Sequence, residues 1–314
     1  SVIEDCIIQN CTFGYGAAIY LGSSDATKEH KLTVRRCSFG LNEADSHSND
    51  GVPQGDGGGI YAYNANLTVD DCAFVANSAV DDGGAILSRS SVVTLTESIF
   101  QMNNTPSSGG AIYTYGTGNM TAENCTFGVN DGQPMGGQLS NTCGVDGGAI
   151  YATSTGNSLL LIGCDFRDND AARRGGAVIA RDGASFEAYN SLFEANATSG
   201  YGTTEVRGGA IYAYNCDLFN LNNCDFFDNE SQVGGAVRQG GSDPTDATIT
   251  DCEFRGNKAT MSLNGGVSFG GAMDLYQSTP CILTRCTIVD NEAGDYGGGL
   301  RVASNTPVWL SDST

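Results

Sequence analysis

Basic residues are scarce in this chain of 314 residues: 15 Lys and Arg stand against 36 Asp and Glu, a formal charge of −21. Such a surface repels nucleic acid and anionic membranes, and it suits solubility, cation binding or basic partners. No run of about 18 apolar residues occurs, which excludes a membrane-spanning helix in this segment. The only histidines are His30 and His47, and there is no Cys-x-x-Cys or Cys/His cluster. A zinc site is therefore not expected. Phosphate loops, dinucleotide fingerprints and nucleophile elbows are missing too. Helix formers are few. What is abundant is glycine, at 44 residues against 6 prolines, and this calls for many tight turns. With 40% hydrophobic residues the chain can still fill a core.

The chain is built on one internal repeat. Cys6, Cys37, Cys72, Ser98, Cys125, Cys164, Ser191, Cys224, Cys252, Cys286 and Ser313 recur in one phase. Two residues on stand Ile8, Phe39, Phe74, Phe100, Phe127, Phe166, Phe193, Phe226, Phe254 and Ile288. Three further on come Cys11 and then Asn42, Asn77, Asn103, Asn130, Asn169, Asn196, Asn229, Asn257 and Asn291. A second strand follows with an aliphatic residue, as at Ile60, Ile86 and Ile112, almost always two residues after a glycine. The shortest spacings, 26 and 27 residues, predict coils of three strands and three turns. Such coils cannot bury their apolar faces alone and must stack. The fold expected is all-β, a single-stranded parallel β-helix of about ten coils, roughly 50 Å long. The aliphatic and Phe positions read as internal ladders, the Asn as a turn residue bonding to the next coil, and the Gly-Gly pair as a left-handed or crowded corner. Both ends lie in the same phase of the repeat, so residues 1–314 are expected to form one domain, a segment of a longer chain. Insertions gather at 43–57, 131–146, 197–207 and 258–269, where they decorate one side.

The candidate functional residues lie around this frame. Tyr20, Tyr61, Tyr113, Tyr151 and Tyr212 follow the inward aliphatic directly, and Tyr63, Tyr115, Tyr214 and Tyr276 stand two further on. Alternation sends both sets outward as an aromatic strip, suited to contact with proteins or glycans. The plainer reading is a solvent-facing strand using a good β-former. Among the sequons, Asn66, Asn119 and Asn124 are the glycosylation candidates, whereas Asn103, Asn196 and Asn229 are ladder residues that face inward. The regular Cys/Ser slot suits a small buried residue, or disulfides between neighbouring coils. Cys11, Cys143, Cys216 and Cys281 lie off that slot and are the better disulfide candidates. Acidic turn residues, among them Asp45, Asp50 and Asp56, Asp81 and Asp82, Asp131 and Asp146, and Asp168 and Asp170, could hold Ca²⁺, although no calcium-loop pattern is present. No catalytic pair stands out.

The pairing of Gly83-Gly84-Ala85-Ile86 with Phe74-x-x-Asn77, and of Gly109-Gly110-Ala111-Ile112 with Phe100-x-x-Asn103, resembles the repeats of the chlamydial polymorphic outer membrane proteins. The resemblance covers nearly the whole chain. It implies a right-handed β-helix displayed at a cell surface and used in adhesion. The function expected is an extracellular or cell-surface structural and adhesive protein, not an enzyme. Its partners are expected to be other surface or filament proteins, glycans or further copies of itself, in a filament or surface layer. The alternative is a polysaccharide lyase or hydrolase, and a third reading is a Ca²⁺-dependent surface module.

Overall fold

The computed structural model describes all residues except 23, 25–29, 47–54, 130–138, 201–205, 242–245, 261–265, 277–279 and 304–305. Every helix or strand among the described residues is a strand. The strands form four parallel sheets, one of 11 strands and three of 10, and each strand pairs with its equivalents one coil before and after. A coil can be followed through Ala65–Asp70, Ala73–Val75, Ser78–Ala79 and Ile86–Arg89, which belong to the first, second, third and fourth sheets in turn. This is a parallel β-helix.

The repeat spacing predicts three strands per coil, and the structure has four shorter ones. The reason lies in two residues held at positive φ. Asp71 (φ 49°) stands just before Cys72, and Ala76 (φ 55°) just before Asn77. Each left-handed residue turns the chain and ends a strand. Asp5, Arg36 and Glu97 repeat the first corner on other coils, and Leu41, Met102 and Ala195 repeat the second.

Each corner leaves a backbone N–H pointing at the next coil with no strand partner, and a side chain supplies the acceptor. At the Asn corner, the Asn77 N–H donates to Asn103 Oδ1 at 3.1 Å. The Asn77 side-chain amide donates to the same oxygen and to the Phe39 carbonyl, both at 3.0 Å. At the other corner the Cys72 N–H donates to Ser98 Oγ at 3.1 Å, and the Cys37 N–H to Cys72 Sγ at 3.4 Å. The Ser98 hydroxyl in turn donates to the Thr96 carbonyl at 2.7 Å, as the Cys72 thiol does to Asp70 at 3.2 Å. Cys and Ser exchange at this slot because both accept from one coil and donate within their own. Size alone does not explain it.

Between the corners lies a close-packed interior. Eight Phe rings from Phe39 to Phe254 stack coil on coil, with centroids 4.6–4.9 Å apart. The aliphatics from Ile60 to Met273 form a fully buried ladder on the fourth sheet. At the third corner Gly83 has φ 68°, and a Cβ on Gly84 would run into the carbonyl oxygens of Gly110 and Asn104. That position therefore admits only glycine.

One ladder assignment changes. Asn130 lies outside the described residues, and its place is taken by Asn141. The Asn103 N–H donates to Asn141 Oδ1 at 3.2 Å, and the Asn141 amide donates to Asn169 Oδ1 at 3.0 Å. Thr142–Cys143 then pairs with Asn104–Thr105. The insertion of this coil thus falls between Phe127 and Asn141, before the ladder Asn and not after it.

Replacing Asn196 by Ala removes the acceptor for the Asn169 N–H and strips the Phe166 carbonyl of its donor. About 3 kcal/mol of stability should be lost, read as a lowered urea midpoint. Cys72→Ser should stay within about 1 kcal/mol of the parent, whereas Cys72→Val, which cannot accept from Cys37, should cost about 2 kcal/mol. Equal stability of the Ser and Val variants would remove the hydrogen-bonding account of this slot.

Candidate functional site

The outward face of the fourth sheet concentrates the chemistry. Its first outward row reads Tyr20, Tyr61, Leu87, Tyr113, Tyr151, Ile179, Tyr212, Arg238, Asp274 and Arg301, each paired with the next. The second outward row places Tyr63, Arg89 and Tyr115 on successive coils, then Arg181 beside Tyr214, and Tyr276 two coils after Tyr214. Alternation along the strand therefore puts all nine tyrosines on the outer side of the coil.

Outward does not mean exposed, and here the expectation of an open aromatic strip is corrected. Tyr61, Tyr151 and Tyr212 retain only 5%, 9% and 3% of their surface, while Tyr20 and Tyr276 keep 53% and 40%. Tyr63, Tyr113, Tyr115 and Tyr214 are half-buried. The rings use their faces on one another. Tyr20 stacks on Tyr61 at 5.4 Å and Tyr113 on Tyr151 at 4.7 Å, each within 5° of parallel. Tyr15, from the turn before the strand of Tyr20 on the preceding coil, covers Tyr61 at 5.0 Å. Tyr151, Ile179 and Tyr212 form a small apolar cluster of their own, with Tyr113 and Tyr214 packed against it. What this face presents to a partner is ring edges and phenolic hydroxyls. Burial pushes the hydroxyls of Tyr61, Tyr113 and Tyr151 up, so they remain protonated and able to donate.

Arginines complete the face, and the repeat alignment does not single them out. The Arg89 guanidinium lies 4.8 Å over the Tyr63 ring and 5.7 Å over the Tyr115 ring. Arg174 pairs with the buried Asp146 at 3.5 Å and lies 5.5 Å over Tyr212. Further along, Asp274 is fully buried between Arg238 and Arg301, each 3.0 Å away. Arg238 lies 5.0 Å over Tyr276 and Arg301 3.9 Å over Phe269. A signal existed in the sequence: Arg89 stands at the register position of Tyr63 and Tyr115.

The acidic turns converge in one place beside this face. Oxygen atoms of Asp56, Asp81 and Asp82 lie within 4.8 Å of one another. The Asp82 N–H donates to Asp56 Oδ1 at 3.2 Å, and the Ser108 N–H donates to Asp82 Oδ1 at 3.0 Å. Burial, opposed by the Asp82 amide and reinforced by the charges of Asp81 and Asp82, pushes Asp56 up to about 7. Three converging carboxylates are a donor set a hard cation such as Ca²⁺ can use, with water completing its shell, and a proton competes for the same oxygens. Asp50 and Asp131 lie outside the described residues. A concavity of about 630 Å³ lies over the third sheet between Pro106, Cys143, Asp170 and Ser199. There burial, opposed by hydrogen bonds from Ser199, raises Asp170 to about 6.

The other candidates lie apart from this face. Asn119 and Asn124 are exposed and Asn66 is half-buried. Asn119 accepts from the Ser158 hydroxyl at 2.9 Å, and Asn124 donates to Glu97 at 2.8 Å. Asn103, Asn196 and Asn229 are fully buried, as expected of ladder residues. All twelve cysteines are free thiols. Cys11 holds the first Asn slot, its N–H donating to Asn42 Oδ1 at 3.1 Å. Cys143 lies in the third sheet beside Thr105 and Ala171, and Cys281 in the first between Ala247 and Val308. The Cys216 thiol donates to the Ala180 carbonyl at 3.1 Å. These four stand on four different coils, so the stacking brings no two of them together. Burial raises the Cys216 and Cys281 thiols to about 12. They are inert as nucleophiles.

The stacked coils define the class as a parallel β-helix solenoid. The model of the family described as the right handed beta helix region matches residues 1–166, 45–200 and 139–314, and the chain belongs to that family. The crystal structure of PfbA, a surface adhesin of Streptococcus pneumoniae, is similar at 12% identity, with a TM-score of 0.47, covering 91% of this chain and 68% of that one. A comparison with curated proteins gives no match. No helix among the described residues is long and apolar enough to cross a membrane.

The raised Asp56 carboxyl has a consequence for stability. Between about pH 4 and pH 7 the folded chain holds a proton that the unfolded chain has released. Stability should therefore fall as pH rises through that window. Asp56→Asn should flatten the fall, measured as denaturant midpoints at several pH values, and so should millimolar Ca²⁺ if the three carboxylates take it up. A fall of the same size in Asp56→Asn would show that other groups cause it.

Proposed function

We propose that this protein is an extracellular structural and adhesive module that binds a surface partner through the outward face of its fourth sheet. One observation carries the reading: nine of the thirteen tyrosines, with Arg89, Arg181, Arg238 and Arg301, collect on the outer face of the fourth sheet. Tyr and Arg are the side chains most enriched where protein surfaces bind. The ladders beneath hold this face rigid, which lowers the ordering cost of binding. The outside setting is supported by the exposed sequon residues Asn119 and Asn124 and by the resemblance of the Gly-Gly-Ala and Phe-x-x-Asn repeats to chlamydial surface proteins. Protein partners, glycans and lateral association with further copies all suit a long flat face.

A second reading is a polysaccharide-cleaving enzyme. It is favoured by Asp56, a carboxyl that holds its proton near neutral pH among two other carboxylates in the turns beside the tyrosine face. Turnover of any acidic or neutral polysaccharide, lost in Asp56→Asn, would establish that reading over adhesion.

For the adhesive reading, the labelled full chain is applied to arrays of glycans and matrix proteins. The half-buried Tyr115 and Tyr214 are replaced together by Ala, and far-UV circular dichroism checks the coil. The double variant should lose at least tenfold in affinity for whatever the parent binds. Unchanged binding would move the function off this face.

A further inference from the structure

Arg89 differs from the arginines around it. Arg35, Arg36, Arg167, Arg174, Arg181, Arg238, Arg255, Arg285 and Arg301 each lie against a carboxylate. The groups that act most on Arg89 are tyrosines, namely Tyr115, Tyr61 and Tyr63, and the charge of Asp56 acts on it from beyond ion-pair distance. It is exposed, and its guanidinium carbon lies between two rings, Tyr63 on the coil before and Tyr115 on the coil after. In a chain of charge −21, a cation set between two rings and in ion-pair contact with no carboxylate among the described residues is an unusual use of a scarce residue. A ring on either side limits where the fork can swing, and a restrained fork loses less freedom when it grips a planar anion with two parallel hydrogen bonds.

Resting on the adhesive reading above, we infer that Arg89 and the hydroxyls of Tyr61, Tyr63, Tyr115 and Tyr20 form a binding site for a carboxylate-bearing sugar within a glycan chain. The guanidinium takes the carboxylate bidentately. The hydroxyls, each both donor and acceptor, take the sugar hydroxyls. The coils rise about 4.8 Å each, close to the advance of one sugar ring, so a glycan lying along the rod meets a new hydroxyl on each coil. An acidic peptide offers the same carboxylate. It brings few hydroxyls, however, and its apolar side chains would find ring edges here, because the faces of Tyr20 and Tyr61 are stacked on each other.

The test is isothermal titration of the full chain with a galacturonate hexasaccharide, with its carboxyl-reduced counterpart and with a polyaspartate of equal charge. The expected result is binding of the uronate, with at least tenfold loss on carboxyl reduction and the same loss in Arg89→Gln. Arg89→Lys keeps the charge but not the fork, and it should lose nearly as much. Added salt should weaken binding, because the ion pair is exposed. Absence of uronate binding, equal affinity for the reduced sugar, or an unaffected Arg89→Gln would overturn the inference. Polyaspartate binding as tight as the uronate would overturn it in favour of an acidic protein. If the array partner is lost with the tyrosine double variant but kept by Arg89→Gln, the adhesive reading survives and this site does not.

Discussion

The structure depends on closing the backbone amides at its corners. Strands satisfy one another wherever they run in register, but a coil must also bend, and a left-handed residue at the bend turns an N–H away from any strand. Here the same slot of the next coil supplies the acceptor, Asn at one corner and Cys or Ser at the other. The stack at Asn196 shows the full economy of the device: its oxygen serves the Asn169 amides, and its own amide serves Phe166 and Asn229. Because each bond crosses a coil boundary, no coil is satisfied without its neighbour. The corner amides that border the Phe and aliphatic ladders are thereby satisfied.

Much of this was legible in the sequence, because a solenoid repeats its interior at fixed spacing. Phe74, Asn77 and Ile86 announce their neighbours at Phe100, Asn103 and Ile112. The left-handed residues are harder to read: Arg36, Leu41 and Met102 share no chemistry, only a position. The coil therefore looks like three strands in sequence and is four in space. Asn130 illustrates the limit of spacing, since it has the right distance from Phe127 while Asn141 makes the bonds. The functional face was half legible. Strand alternation places the tyrosines outside correctly. It says nothing of how far stacking and the preceding turn bury Tyr61, Tyr151 and Tyr212. Nor does it show that Asp56 meets Asp81 and Asp82, or that Arg89 enters between two rings, because these depend on contacts between coils at positions where residue types vary.

Inside and outside thus follow different rules on the same strand. At Ile60–Tyr63 the inward Ile60 obeys the ladder, while Tyr61 and Tyr63 are free to differ from Leu87 and Arg89 one coil on. Uniformity is required only where a side chain meets its own kind in the core. The outer rows can therefore pass from tyrosine to the Arg238–Asp274–Arg301 group without disturbing the stack.

The direction of the hydrogen bonds between coils has a mechanical meaning. They lie along the rod, whereas the chain itself runs around it. A force pulling the two ends apart loads the bonds of one terminal coil at a time, not those of all coils together. Each coil that opens surrenders roughly 90 Å of extended chain in exchange for about 5 Å of rod. Such a rod is stiff under bending and compression but gives way stepwise in tension. It absorbs work over a long extension while the coils not yet reached keep their faces intact.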